Sequence, residues 1–147
     1  GGHQLHLIDF GTAEPLMDRK GVRRTTPQVA EGTLAYMAVT VHAGEPLSPR
    51  DDLEAFGWML LRLLVGKLPW EGLGIKEMGK ISAMKRKIMA NVDIEGVDSV
   101  MKAFFERYFA YVGGLKANCD VPHAPKISAI VKEAWAKGGK KEFGAMP

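Results

Sequence analysis

The chain has 147 residues, 46% hydrophobic and 25% charged, with a net charge of +3. That is one domain's worth of chain with enough apolar material for a core. So mild a basic excess reads as a solvated surface, not a nucleic-acid footprint, and the single cysteine, Cys119, excludes a disulfide framework and suits a reducing compartment, cytoplasm or nucleus.

No secretory leader pattern opens the chain, and Gly1-Gly2 without an initiator Met reads as an internal position of a longer protein. Leu5-His6-Leu7-Ile8 is a short apolar run closed by Asp9-Phe10-Gly11, the pattern of a buried strand ending in a turn. From Thr12 to Glu45 no period is sustained. Pro15, Gly21, Pro27, Gly32 and Gly44 punctuate a long loop, and ordered loops of that length are usually functional.

Leu47 to Trp70 is the stretch around which the other elements are organised. Ser48 suits an N-cap, Pro49 the first helical position, and Asp51 and Asp52 the positive end of the helix dipole. From Leu53 to Val65 only Glu54, Gly57 and Arg62 interrupt the apolar residues, which predicts a central helix buried on every side. Gly66 caps it and Pro69 prevents a restart. The run is too short, and too interrupted by Glu54 and Arg62, to span a membrane.

Three amphipathic helices are then predicted. In the first, Met78, Ile81, Met84, Ile88 and Met89 recur at helical spacing, with Lys80, Lys85, Arg86 and Lys87 assigned to a basic face. Val97, Val100, Met101, Phe104, Phe105, Tyr108 and Phe109 form the stripe of the second, which Gly113-Gly114 ends. A rigid connector, Val121 to Pro125, leads to the last, with Ile127, Ile130, Val131, Ala134 and Trp135 on one face and Gly138-Gly139 as its stop. The predicted fold is mainly α, with a short β element at the N-terminus.

Asp9-Phe10-Gly11 has two readings of its own: a strand-terminating turn with a solvated Asp, or a carboxylate aimed into a cleft to hold a hard cation such as Mg²⁺. Gly32-Thr33-Leu34-Ala35-Tyr36 and then Asp52-Leu53-Glu54-Ala55-Phe56-Gly57 come after it in order, with Leu68-Pro69-Trp70 beyond. This succession resembles the C-terminal lobe of a eukaryotic protein kinase, from the DFG through the activation segment to the final helix. Within that superfamily it looks like the casein kinase I and vaccinia-related kinase group, on the run Ser48-Pro49-Arg50-Asp51-Asp52-Leu53-Glu54-Ala55-Phe56-Gly57-Trp58 and on Leu68-Pro69-Trp70. Ala38-Val39-Thr40 stands where other kinases carry Ala-Pro-Glu. The resemblance covers about residues 4 to 137.

The resemblance implies a partial kinase domain: activation segment over 9–40, central helix over 48–66, helical subdomain over 75–137, tail over 138–147. It implies ATP and Mg²⁺ as cofactors. Asp9 becomes the Mg²⁺ ligand, Phe10 packs beneath the cleft and Gly11 supplies a hinge. Gly32 belongs to the activation segment, Thr33 hydrogen-bonds near the catalytic base and Tyr36 lines the substrate groove. Asp52 becomes a buried carboxylate accepting backbone N–H groups of the catalytic loop; without the resemblance, helix-terminus electrostatics explains it equally well. Arg23 and Arg24 read either as a solvated loop or as a site for acidic or pre-phosphorylated protein substrates. Thr25 and Thr26 are candidate phosphosites.

No G-x-G-x-x-G loop, V-A-I-K strand or H-R-D-x-x-x-x-N loop occurs; Gly72 and Gly74 begin the first spacing, but Glu77 stands where its third glycine would be. Two readings from different classes are then open, beside a generic one in which the chain is an unrelated helical domain. The chain is the C-terminal part of a serine/threonine kinase, inactive by itself, or a kinase-like lobe serving as a binding or regulatory module. With the catalytic loop absent, Asp52 is expected to be solvated or re-paired with Arg50.

Overall fold

A computed structural model describes residues 6, 8, 10, 11, 13, 15–21, 33–45, 47–116 and 123–138. These are mainly helical: α1 (Val39–His42), α2 (Pro49–Val65), a 3-10 turn (Ile75–Glu77), α3 (Met78–Ala90), α4 (Ser99–Gly113) and α5 (Ala124–Gly138). The β element expected over Leu5–Ile8 falls largely outside the described residues. His6 and Ile8, which are described, lie in no strand and are exposed. The tail from 139 on lies outside as well.

The termini of α2 follow from its caps. The Asp51 carboxylate reaches back to accept the Ser48 N–H at 2.7 Å, a donor the helix leaves orphaned, and also the Ser48 hydroxyl at 2.9 Å. At the other end Gly66 turns left-handed at φ 77°, which a residue with a Cβ resists, and its N–H returns to the Arg62 carbonyl. Glu71 then accepts from Arg62 Nε at 3.0 Å and the Leu68 N–H at 3.2 Å, fixing the Leu68-Pro69-Trp70 turn.

The hub is α4, not α2. Asp98 caps α4 by accepting the N–H groups of Val100 and Met101, both at 2.9 Å. Phe104, Phe105, Tyr108, Phe109 and Val112 are buried on it, and it packs against α2, α3 and α5. The expected all-round burial of α2 is therefore corrected. Asp51, Glu54, Gly57, Trp58 and Leu61 form its covered side, while Asp52, Phe56 (44% exposed) and Leu63 (42%) face outward. An apolar run reports hydrophobicity but not the number of neighbours, and among the described helices α2 lies close to α1 and α4 alone.

In α3, Ile81, Lys85 and Ile88 are the buried residues, so Lys85 belongs to the covered face and not the basic one. Pro125 sits in the first turn of α5 instead of a connector, and α5 packs a narrower face than expected: Ile130 is buried, but Val131 and Trp135 (55% exposed) are not. No described helix is long and apolar enough to cross a membrane.

Where α2 and α4 meet, Gly57 provides a notch. Tyr108 crosses it to donate its hydroxyl to the Leu53 carbonyl at 2.8 Å, and Phe109 lies beside it against Trp58, the rings tilted by 32° with centroids 4.3 Å apart. A Cβ at Gly57 would stand 2.7 Å from Tyr108 Cε1 and 2.8 Å from Phe109 Cε1. Both rings are fixed in the core. The clash, about 1–3 kcal/mol, outweighs the helix-propensity gain of about 1 kcal/mol. Gly57→Ala should therefore lower the urea midpoint of unfolding; a raised midpoint would show that the helices do not approach so closely.

Candidate functional site

The stretch from Thr33 to Val39, the first residue of α1, forms a strap against the helices. The Thr33 carbonyl accepts the N–H groups of Tyr36 at 2.9 Å and Met37 at 3.2 Å, which makes Thr33–Met37 a turn. The helical body then grips the strap along its length. Trp70 Nε1–H donates to the Ala35 carbonyl at 2.8 Å. Lys85 Nζ donates to the Met37 carbonyl at 2.5 Å and, more weakly, to the Leu34 carbonyl at 3.4 Å. Glu54 Oε1 accepts the Val39 N–H at 2.9 Å and Trp58 Nε1–H at 3.0 Å. The side chains of α2, α3 and the turn after α2 thus fold the strap onto themselves.

Burial governs the electrostatics here. Desolvation pushes the Glu54 carboxyl above its ordinary value, against the Val39 and Trp58 N–H donors and the Lys85 charge, which favour the carboxylate. Desolvation also pulls Lys85 down to about 8, with Glu54 opposing. The faces of Trp58 and Trp70 lie 5.7 and 5.3 Å from Lys85 Nζ, an arrangement that favours a cation. His42, whose Nδ1 lies 3.0 Å from Ser82 Oγ, is lowered to about 4 by burial and then by the Lys85 charge.

At the N-terminus of α2 the two aspartates divide their roles. Asp51 is buried and accepts Ser48 twice and the Thr40 hydroxyl, with Arg50 Nε 3.8 Å away. Arg50 also reaches the Leu115 carbonyl at 3.2 Å and Glu45 at 3.5 Å, tying the start of α2 to the end of α4. Asp52 is exposed, with no hydrogen bond or ion pair among the described residues. Partial desolvation and then the neighbouring Asp51 charge push its carboxyl upward. Re-pairing with Arg50 does not occur, because that guanidinium is directed to Asp51, Glu45 and Leu115 instead.

Thr33 and Tyr36 therefore share one turn, Thr33 exposed and Tyr36 partly packed against the core. Gly11 is exposed in a turn, and Phe10, expected to pack, is 64% exposed. No apolar wall lies over it among the described residues. Asp9, Arg23, Arg24, Thr25, Thr26 and Gly32 lie outside the described residues. Among those described, no group of three His, Cys, Asp or Glu side chains converges as a metal site.

Sequence reasoning missed Glu54 and Lys85 as the polar heart of this region. The signal was available. Lys85 lies four residues after Ile81 and three before Ile88, and Glu54 four before Trp58, so both sit on covered helical faces.

Asp51→Ala should cost about 2–3 kcal/mol, since it strips the cap and strands buried donors. Asp52→Asn should fall within about 0.5 kcal/mol of the parent chain. Urea denaturation ranks them, and the opposite ranking would refute the division of roles. For His42, the unfolded imidazole protonates near 6.5 and the folded one near 4. Its contribution is therefore present above 6.5 and lost as pH falls through about 4. The chain should lose more stability between pH 7 and pH 4.5 than His42→Gln does. The chain matches no protein-family model.

Proposed function

We propose that this chain is the C-terminal part of a serine/threonine protein kinase of the casein kinase I and vaccinia-related kinase group. The parent protein would transfer the γ-phosphate of ATP to Ser or Thr hydroxyls of protein substrates, working in the cytoplasm or nucleus. The observation that carries the reading is the arrangement around α2. The strap holding Thr33 and Tyr36 docks at its covered side, while Asp52 stands exposed, though partly desolvated, at the head of an outward stripe continued by Phe56 and Leu63. A lobe that receives a catalytic loop at that carboxylate would have this surface open when the loop is supplied by another part of the protein.

In this reading each residue has a chemical task. Phosphoryl transfer depends on positioning and charge neutralisation more than on covalent chemistry. Asp9 would hold the Mg²⁺ that neutralises the nucleotide phosphates, with Phe10 and Gly11 setting its approach. Tyr36 would form the floor on which the substrate lies, and Thr33 would orient the region of the base. Arg23 and Arg24 would pair with acidic or phosphorylated residues of the substrate, and phosphate on Thr25 or Thr26 would give them an internal partner.

The outward stripe of α2 also favours a second reading, a catalytically silent lobe that binds a kinase or scaffold through that face. One experiment separates them. The chain is expressed joined to the coding sequence immediately upstream and assayed for phosphate transfer from Mg-ATP to an acidic Ser/Thr peptide. Activity is expected, and Asp9→Asn should reduce it about a hundredfold or more through loss of the metal ligand. Absence of an H-R-D-x-x-x-x-N loop upstream, or full activity in Asp9→Asn, would overturn the kinase reading.

A further inference from the structure

The segment Thr33–Val39 has little to hold it by itself. Its internal bonds are the two to the Thr33 carbonyl; α1 and its cap add the His42 N–H on the Ala38 carbonyl and the Ala43 N–H on the Val39 carbonyl, and side chains of the body reach it through Trp70, Glu54 and Lys85. Of these, Lys85 is the unusual member. It is 0% exposed, and no carboxylate lies within ion-pair distance of its amine among the described residues. A lysine on a helix surface ordinarily extends its amine to water. Ile81 and Ile88 flank Lys85 on the covered face of α3 and direct it inward, so its amine must find partners there. It finds the Leu34 and Met37 carbonyls, the two indole faces and, at longer range, Glu54.

We propose that Lys85 is the positioning residue of the Thr33–Val39 strap: its buried amine, on two strap carbonyls and two indole faces, latches the strap to α2 and α3. The inference stands independently of the phosphoryl-transfer reading.

The pH dependence of the latch follows from linkage. With the strap docked, Lys85 releases its proton near pH 8; with the strap lifted, the amine returns to water and releases it near 10.5. Between those values the undocked state holds the extra proton, so raising the pH favours docking; below about 8 both states are protonated and docking is independent of this group. The neutral amine keeps two N–H donors, enough for the two carbonyls it serves.

The other charged groups facing the latch are on α1 and α2. His42, on α1, stays neutral above about 4. Glu54, on α2, has its carboxyl raised by burial from the ordinary 4.5, and Asp51, also on α2, is the further charge acting on it.

Leu34, Tyr36 and Met37 make the strap a chymotrypsin site once it lifts, and native-state cleavage therefore reports its undocking. Cleavage within the strap is measured at pH 7 and pH 9.5, with each rate normalised to an unstructured peptide carrying the same residues. The parent chain should be cleaved up to about thirtyfold more slowly at the higher pH. Lys85→Arg keeps its charge across this range and should show no such gain. Lys85→Met should be cleaved about tenfold faster than the parent at pH 7, with no fall in the urea midpoint of the whole fold. Equal cleavage of Lys85→Met and the parent, or the same alkaline gain in Lys85→Arg, would overturn the proposal. If either variant fails to fold, a flat profile of the parent chain between pH 7 and 9.5 would overturn it alone.

Discussion

The arrangement of this protein depends on burying Glu54 and Lys85 without joining them in a close ion pair. Taking either group out of water is costly, and the cost is offset only where fixed dipoles replace the lost hydration. Glu54 obtains two N–H donors and Lys85 two carbonyls and two indole faces. Of the four hydrogen-bonding groups, three are backbone groups of the strap, on Leu34, Met37 and Val39. The irregular segment thus completes the polar shell of the helical body, and the body in turn holds that segment in place.

A second constraint is the approach of α4 to α2. The missing side chain at Gly57 lets Tyr108 and Phe109 settle onto the helix, and that places Trp58 between Phe109 and Trp70. Trp58 and Trp70 in turn present the faces against which the Lys85 amine rests. The glycine and the buried cation are therefore linked through the same aromatic cluster. Repacking the notch would disturb the polar contacts one layer away, because close-packed interiors transmit displacement.

Much of the fold is legible in the sequence. Ser48, Pro49 and Gly66 mark the ends of α2, and helical periodicity places α3, α4 and α5. Where the sequence misleads, the reasons are physical. Lys85 reads as a wet-face residue because lysine is rarely buried, although its spacing to Ile81 and Ile88 says otherwise. The greasy run of α2 says nothing about which side has neighbours, and Phe56 and Leu63 stay outside. α1, at 4 residues, is shorter than any period can reveal. For the candidate site, Thr33 and Tyr36 fall in one docked turn, while Glu54, the carboxylate nearest that turn's continuation, looks like a mere interruption of an apolar helix.

The placement of the tryptophans has a spectroscopic consequence. Of the 3 in the chain, Trp58 and Trp70 are sealed in the core beside a cation, whereas Trp135 faces solvent on α5. Their emission divides into a blue, shielded component and a red component open to a soluble quencher such as iodide. The protein therefore carries its own pair of optical reporters. Detachment of its last helix and collapse of its aromatic centre would be separable by colour, with no label added.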